Sequence, residues 1–248
     1  MSDLFHDLGD VYEAMIDWPK RLAHEGPFYR ALFEQIGARR VLDAACGTGH
    51  HAAMFHGWGL EVEAADVSPA MIERARSARG EPPGLNWMVR GFEEPVGEPD
   101  AFDAVVCVGN SLALAGSMPL ASQALARMLE AVRPGGRLVV HVLNIEHLPD
   151  GPCVWQKCQR AELPRGSVLI LKGVHRHARQ GYVDLLVAGL AEGKLLHHES
   201  VPFVGLDAEQ LDDMARRAGA SEATFFGGYG GQPFQPAHHA DLVLVATR

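Results

Sequence analysis

The spacing of apolar positions changes twice along this chain. Up to residue 38 they recur at helical intervals, at Leu4, Leu8, Val11, Tyr12, Met15 and Ile16, then at Phe28, Leu32, Phe33 and Ile36. Trp18-Pro19 and Gly26-Pro27 punctuate that stretch, which predicts two or three short helices. From Arg40 onward, apolar runs at 41–45, 62–65, 85–89, 104–108 and 138–142 alternate with helical segments near 50–57, 69–79 and 119–132. Short buried strands separated by helices predict βαβ units and a parallel sheet. Ser68-Pro69 reads as an N-cap followed by the first helical residue. Arg133-Pro134-Gly135-Gly136 reads as the end of a helix and a tight turn into the next strand.

After Pro149-Asp150-Gly151-Pro152 the pattern becomes that of strands at 168–176, 182–190 and 194–204, joined by turns at Gln180-Gly181 and Glu192-Gly193. Asp207 then caps a helix to about residue 218, Gly219 closes it, and strands follow at 222–226 and 241–247 around the glycine-rich loop 227–236. The predicted organisation is a helical cap (1–38), a Rossmann-like domain (39–150 and 206–248) and a small antiparallel β insert (151–205) serving the substrate site or oligomerisation.

Charge narrows the partners. With 22 Lys and Arg against 31 Asp and Glu, the 248-residue chain carries a formal charge of −9. That excludes a general polyanion binder, so no nucleic acid is expected. No apolar run reaches the roughly 18 residues of a membrane span, and the acidic start MSDLFHDLGD lacks the order of a signal peptide. Four cysteines make no disulfide framework. The expectation is a soluble, cytoplasmic α/β protein, with homo-oligomerisation left open.

The strongest chemical signal is Val41-Leu42-Asp43-Ala44-Ala45-Cys46-Gly47-Thr48-Gly49-His50, a buried strand entering a Gly-x-Gly turn and then a helix. Glycines let the backbone approach a ligand, and the helix start offers free amides. Asp66 ends the second strand 17 residues after Gly49, where a ribose hydroxyl pair would sit. Asp43, immediately before the turn, would repel the pyrophosphate of a dinucleotide. It suits a ligand whose nearby group is an ammonium or sulfonium, so S-adenosylmethionine fits the charge arrangement better than NAD.

At this point the motifs resemble a known family. Asp43-x-x-Cys46-Gly47-Thr48-Gly49, then Asp66, then Arg133-Pro134-Gly135-Gly136 looks like the class I S-adenosylmethionine-dependent methyltransferases, over roughly residues 35–145. Phe102-Asp103-Ala104-Val105-Val106-Cys107-Val108-Gly109-Asn110-Ser111 and the ending from Pro233-Phe234 to Ala246 are similar to the glycine N-methyltransferases. The resemblance implies a seven-stranded, mostly parallel sheet with an antiparallel last strand. It places Asp43, Ala45, Gly47 and Gly49 along the methionine part of the cofactor, Asp66 on the ribose and Val67 on the adenine. Gly91 and Phe92 fall at the adenine edge, with Glu93 in reach of it. Val108, Asn110 and Ser111 face the methyl group, and Arg21 meets the cofactor carboxylate. Leu143 stands where glycine-methylating relatives carry an Arg for the substrate carboxylate, and leucine cannot make that bidentate pair. The resemblance therefore supplies the cofactor, not the acceptor.

The expected reaction is methyl transfer to a small-molecule acceptor, nitrogen ahead of oxygen. A cofactor-binding protein without turnover and an O-methyltransferase are the alternatives. An acceptor that needs deprotonation needs a base. The candidate catalytic residues are Asn110, His141 and Asn144 at strand ends, and Tyr229 in Gly227-Gly228-Tyr229-Gly230-Gly231, with Tyr12 closing from the cap. His141 has an alternative reading as a hydrogen-bonded structural residue. The 13 histidines include the pairs 50–51, 197–198 and 238–239 and His175-x-His177, but no Cys or carboxylate completes a recognisable spacing. No metal is expected.

Overall fold

The computed structural model describes residues 9–96, 99–164, 166–191 and 193–248. Leu4, Phe5 and Leu8 of the predicted cap, and Glu192 of a predicted turn, lie outside the described residues.

Helix α1 spans Gly9–Met15 and α2 spans Trp18–Gln35. The Asp17 side chain caps α2 by accepting from the Lys20 amide at 3.1 Å, and Pro19 occupies its first turn, where a missing N–H costs nothing. The break expected at Gly26-Pro27 does not occur, and α2 runs straight through Pro27. Packing overrides the local penalty of about 3 kcal/mol. Tyr29 and Phe33 on the buried face both stack edge-on against Phe55, with ring centroids 5.2 and 5.1 Å apart.

The main sheet holds seven strands in the order β10-β11-β5-β4-β1-β2-β3. They are β1 (Arg40–Asp43), β2 (Glu61–Asp66), β3 (Leu85–Val89), β4 (Phe102–Cys107), β5 (Val132–Leu143), β10 (Glu222–Phe226) and β11 (Asp241–Thr247). β1 to β5 run parallel, while β11 is antiparallel to both β5 and β10. Helices α3 (His50–Gly57), α4 (Pro69–Arg79) and α5 (Met118–Ala131) make the crossovers, and α6 (Ala208–Arg217) precedes β10. A capping box between Asp207 and Gln210 starts α6. The strand order reverses between β1 and β4, and the carboxyl ends at such a reversal leave a crevice for a ligand.

The Arg133-Pro134-Gly135-Gly136 segment is not a separate turn. The chain passes from α5 directly into β5 at Val132, and these four residues bulge out of the strand before Arg137 pairs with Ala104. Gly136 permits this, since a β-carbon there would lie 2.5 Å from the Asp103 carbonyl oxygen.

Residues 155–204 form a second sheet of four antiparallel strands, β6 (Trp155–Leu163), β7 (Gly166–His177), β8 (Gln180–Gly189) and β9 (Lys194–Val204), where sequence reading expects three. The missed strand is β6, an edge whose Gln-Lys-Cys-Gln-Arg-Ala-Glu run has polar residues at both parities. One face of this sheet carries Val168, Ile170, Leu185, Val187 and Val201, which bury against Val11 and Met15 of α1. No helix among the described residues is long and apolar enough to cross a membrane.

Candidate functional site

β1 delivers Asp43 to the crevice, and the turn that follows is shaped by glycine. Gly47 and Gly49 have φ of 53° and 78°, the left-handed region that favours glycine. A β-carbon on Gly49 would also stand 2.4 Å from the Trp87 ring, so residue 49 must be glycine for β3 to close beside the turn. Asp66, at the end of β2, ties the turn to the next crossover. Its carboxylate accepts from the Gly47 amide and from the Ser68 amide, each at 2.9 Å. Ser68 in turn caps α4 by accepting from the Met71 amide at 3.3 Å.

Asp43 is 1% exposed, and among the described residues its carboxylate meets only the backbone amides of Ala45 and Ala52, at less than ideal geometry. Burial, reinforced by the charge of Asp66, pushes its carboxyl up to about 7, with the Ala45 amide and then Arg21 opposing the shift. A buried acid behind a glycine turn, with no cation bonded to it, is the environment a cationic ligand group would relieve.

The cap closes this crevice. Arg21 of α2 donates to Glu25 at 2.7 Å, and Glu25 is bound on its other side by His51 of α3, also at 2.7 Å. Burial alone would raise the Glu25 carboxyl, but His51 and Arg21 outweigh it and hold it below the ordinary range. Trp18 stacks on His50 with ring centroids 3.9 Å apart, and Glu13 of α1 meets the same imidazole at 2.9 Å. α1 is fastened on two sides. Asp10 pairs with Arg74 of α4, while the Ala14 and Met15 carbonyls accept from Gln159 and Lys157 of β6.

Between these parts lies a cavity of about 400 Å³. Of the residues proposed for the cofactor, Arg21, Ala45, Gly47, Asp66, Val67, Gly91, Phe92, Val108 and Ser111 line it, while Asp43 and Gly49 do not. Ser111 donates its hydroxyl to the Val108 carbonyl at 2.7 Å. Tyr12, Trp18, His51 and Glu93 complete the near walls, and Leu114, Gly116, Val201 and Pro202 line the cavity as well. Val201 and Pro202 come from β9, and no local sequence signal marks them, because only the packing of the second sheet brings them here.

None of the four residues proposed as catalytic lines this cavity. His141 has both ring nitrogens engaged: Nδ1 accepts from the Gly109 amide at 3.2 Å and Nε2 faces Asp241 at 3.0 Å. Burial would raise Asp241, but His141 outweighs it and holds that carboxyl low. Asn110, at φ 69°, accepts from the Leu143 amide at 3.0 Å and so ties the end of β4 to β5. Asn144 donates to the Pro236 and His239 carbonyls at 2.8 and 2.7 Å, anchoring the loop before β11. Tyr229 is buried among Phe28, Tyr29 and His141. The strand-end positions that read as catalytic are occupied by residues that knit the strand ends together.

Residues 41–136 match the methyltransferase domain family. The chain is 34% identical over 157 residues to the glycine/sarcosine N-methyltransferase of Parasynechococcus marenigrum, covering 60% of this chain and 54% of that protein. Among solved structures it superposes on the S-adenosylmethionine-bound amino pentose methyltransferase CalS10 of Micromonospora echinaspora, with a TM-score of 0.74, 23% identity and 100% and 99% of the two chains covered. It also superposes on the sugar N-methyltransferase KedS8 of a Streptoalloteichus species, with a TM-score of 0.77, 22% identity and 100% and 95% covered. At such identities the structural likeness is one of fold. Residues 41–136 thus carry a methyltransferase domain, and the chain as a whole has the fold of S-adenosylmethionine-dependent methyltransferases. It spans 54% and 61% of the length of two curated relatives it matches, the Parasynechococcus marenigrum enzyme and the glycine N-methyltransferase of Oryctolagus cuniculus.

Proposed function

We propose that this chain transfers the methyl group of S-adenosylmethionine to a nitrogen of a small-molecule acceptor. The cap (1–38), the Rossmann-like domain (39–150 and 206–248) and the β insert (151–205) serve this together, with the insert closing the acceptor side. The relatives named as N-methyltransferases support the reaction class. What favours nitrogen over oxygen is the cavity wall of Leu114, Gly116, Val201 and Pro202, the acceptor side in this reading, which carries no side-chain base among the described residues. His51 also lines the cavity but is engaged by Glu25. An alcohol needs a base to become a nucleophile at neutral pH, whereas an amine needs only to arrive unprotonated.

When bound, the cofactor supplies a methyl group on a positively charged sulfur, open to in-line attack by a lone pair. The chain's own contribution is position and exclusion of water. Gly47 lets the backbone close on the ligand, Asp66 receives the ribose hydroxyls, and Val67 and Phe92 flank the adenine. Arg21, braced by Glu25, receives the cofactor carboxylate. Tyr12 roofs the centre, and burial pushes its phenol up, so it donates hydrogen bonds and does not act as a base.

Labelled S-adenosylmethionine incubated with matched amines and alcohols tests this reading. The expected outcome is labelled amine, with a rate that rises with pH until the acceptor's own ammonium is deprotonated and with His141→Asn following the same profile. Labelled alcohol alone, or S-adenosylhomocysteine binding with no transfer to either set, would overturn it.

A further inference from the structure

Cys153, His175 and Asp184 reach one another from the segment after β5, from β7 and from β8. In the β7–β8 register Gly173 faces Asp184 and His175 faces Tyr182, so the imidazole and the carboxylate are diagonal neighbours across the hairpin. One ligand atom from each of the three lies within 4.8 Å of the others. Asp184 is 7% exposed, and its Oδ2 stands 2.8 Å from His175 Nδ1. These two atoms are shut off from solvent and face each other without hydrogen-bond geometry, while the Cys153 thiol hydrogen-bonds to Asp184.

The surroundings favour the arrangement. A β-carbon on Gly173 would stand 2.3 Å from Cys153 Sγ, so glycine there makes room for the sulfur. Tyr182 stacks on His175 with centroids 5.1 Å apart and planes 15° apart, which fixes the ring. The Gly151 amide donates to the Arg176 carbonyl at 3.0 Å, and Arg176 pairs with Asp150 at 2.8 Å, holding the segment that carries Cys153 against β7. None of the three residues lines the cofactor cavity.

Sulfur, imidazole and carboxylate together suit a borderline divalent ion and not magnesium or calcium, which take oxygen ligands. We propose that Cys153, His175 and Asp184 bind one divalent ion of the zinc type, with a water in the fourth position, and that this ion pins the segment after β5 to the second sheet. The sequence hides the site because its donors follow no linear spacing and meet only through strand register. Burial and the hydrogen bond to Asp184 push the metal-free Cys153 thiol up to about 11. Binding therefore replaces the thiol proton by the ion and releases that proton to solvent.

Titration of the full chain with cobalt(II) tests the site, because a thiolate ligand gives a charge-transfer absorption. One equivalent should saturate the band and zinc should bleach it. Cys153→Ser and Asp184→Asn should lose the band, and Cys158→Ser should keep it. No saturable band in the unaltered protein, or a band that survives Cys153→Ser, overturns the proposal. If serine at 153 prevents folding, alkylation of the unaltered protein read by mass spectrometry decides the matter. Zinc should slow modification of Cys153 by about tenfold or more while leaving exposed Cys158 unchanged, and equal protection of both or neither counts against the site.

Discussion

The two sheets do different work with different economy of sequence. In the main sheet, β1, β4 and β11 are buried along nearly their whole lengths, with Val41, Leu42, Ala104, Val105, Val106, Leu242 and Leu244 fully enclosed. Those strands have almost no freedom, and the glycine turn hangs from them. The second sheet buries one face against α1 and leaves β6 alternating between exposed and half-buried positions. It contributes Val201 and Pro202 to the cavity through shape alone. A rigid platform for a fixed cofactor sits opposite a wall whose residues can change without unfolding the platform.

The sharpest way to break that contrast is at the platform. Gly49→Val puts a branched side chain into Trp87 at a left-handed backbone position. It should cost about 3 kcal/mol or more in urea denaturation and abolish cofactor binding. A stable, binding-competent valine variant would mean that the turn is not fixed by β3.

A second effect concerns pH. Asp43 holds its proton more tightly folded than unfolded, its carboxyl being pushed up to about 7 from 3.8. The stability this contributes is full below about pH 4 and is lost as pH rises through about 7. Melting temperature of the cofactor-free protein should therefore fall across that window, and Asp43→Asn should flatten the fall. An unchanged slope in the asparagine variant would place the titrating group elsewhere.

The smallest effect probes the opposite wall. Leu114→Ala should raise the acceptor KM about tenfold while leaving cofactor affinity within about twofold. Equal losses for both ligands would merge the two ends of the cavity into one.

Legibility in the sequence follows the same divide. β3, α3, α4, β10 and β11 were readable to the residue because their apolar runs and caps are local. Gly47, Gly49 and Asp66 were readable because one strand, one turn and the next strand end carry the whole signal. Pro27 misled because tertiary burial of Tyr29 and Phe33 outweighs a helix breaker. β6 was invisible because an edge strand needs no apolar alternation. His141, Asn110 and Asn144 read as catalytic because strand ends on the ligand side are where catalysis is sought, and the sequence could not show that their side chains meet backbone groups and, for His141, the Asp241 carboxylate.

The seven-residue helix α1 is bolted to α3 and α4 on one flank and to β6 on the other. Its Tyr12 roofs the cavity that both flanks share. Lifting α1 breaks both sets of bonds at once. Under the proposed function, any exchange of ligand through this roof has to break both sets of bonds together, which makes one short helix the common latch for cofactor and acceptor.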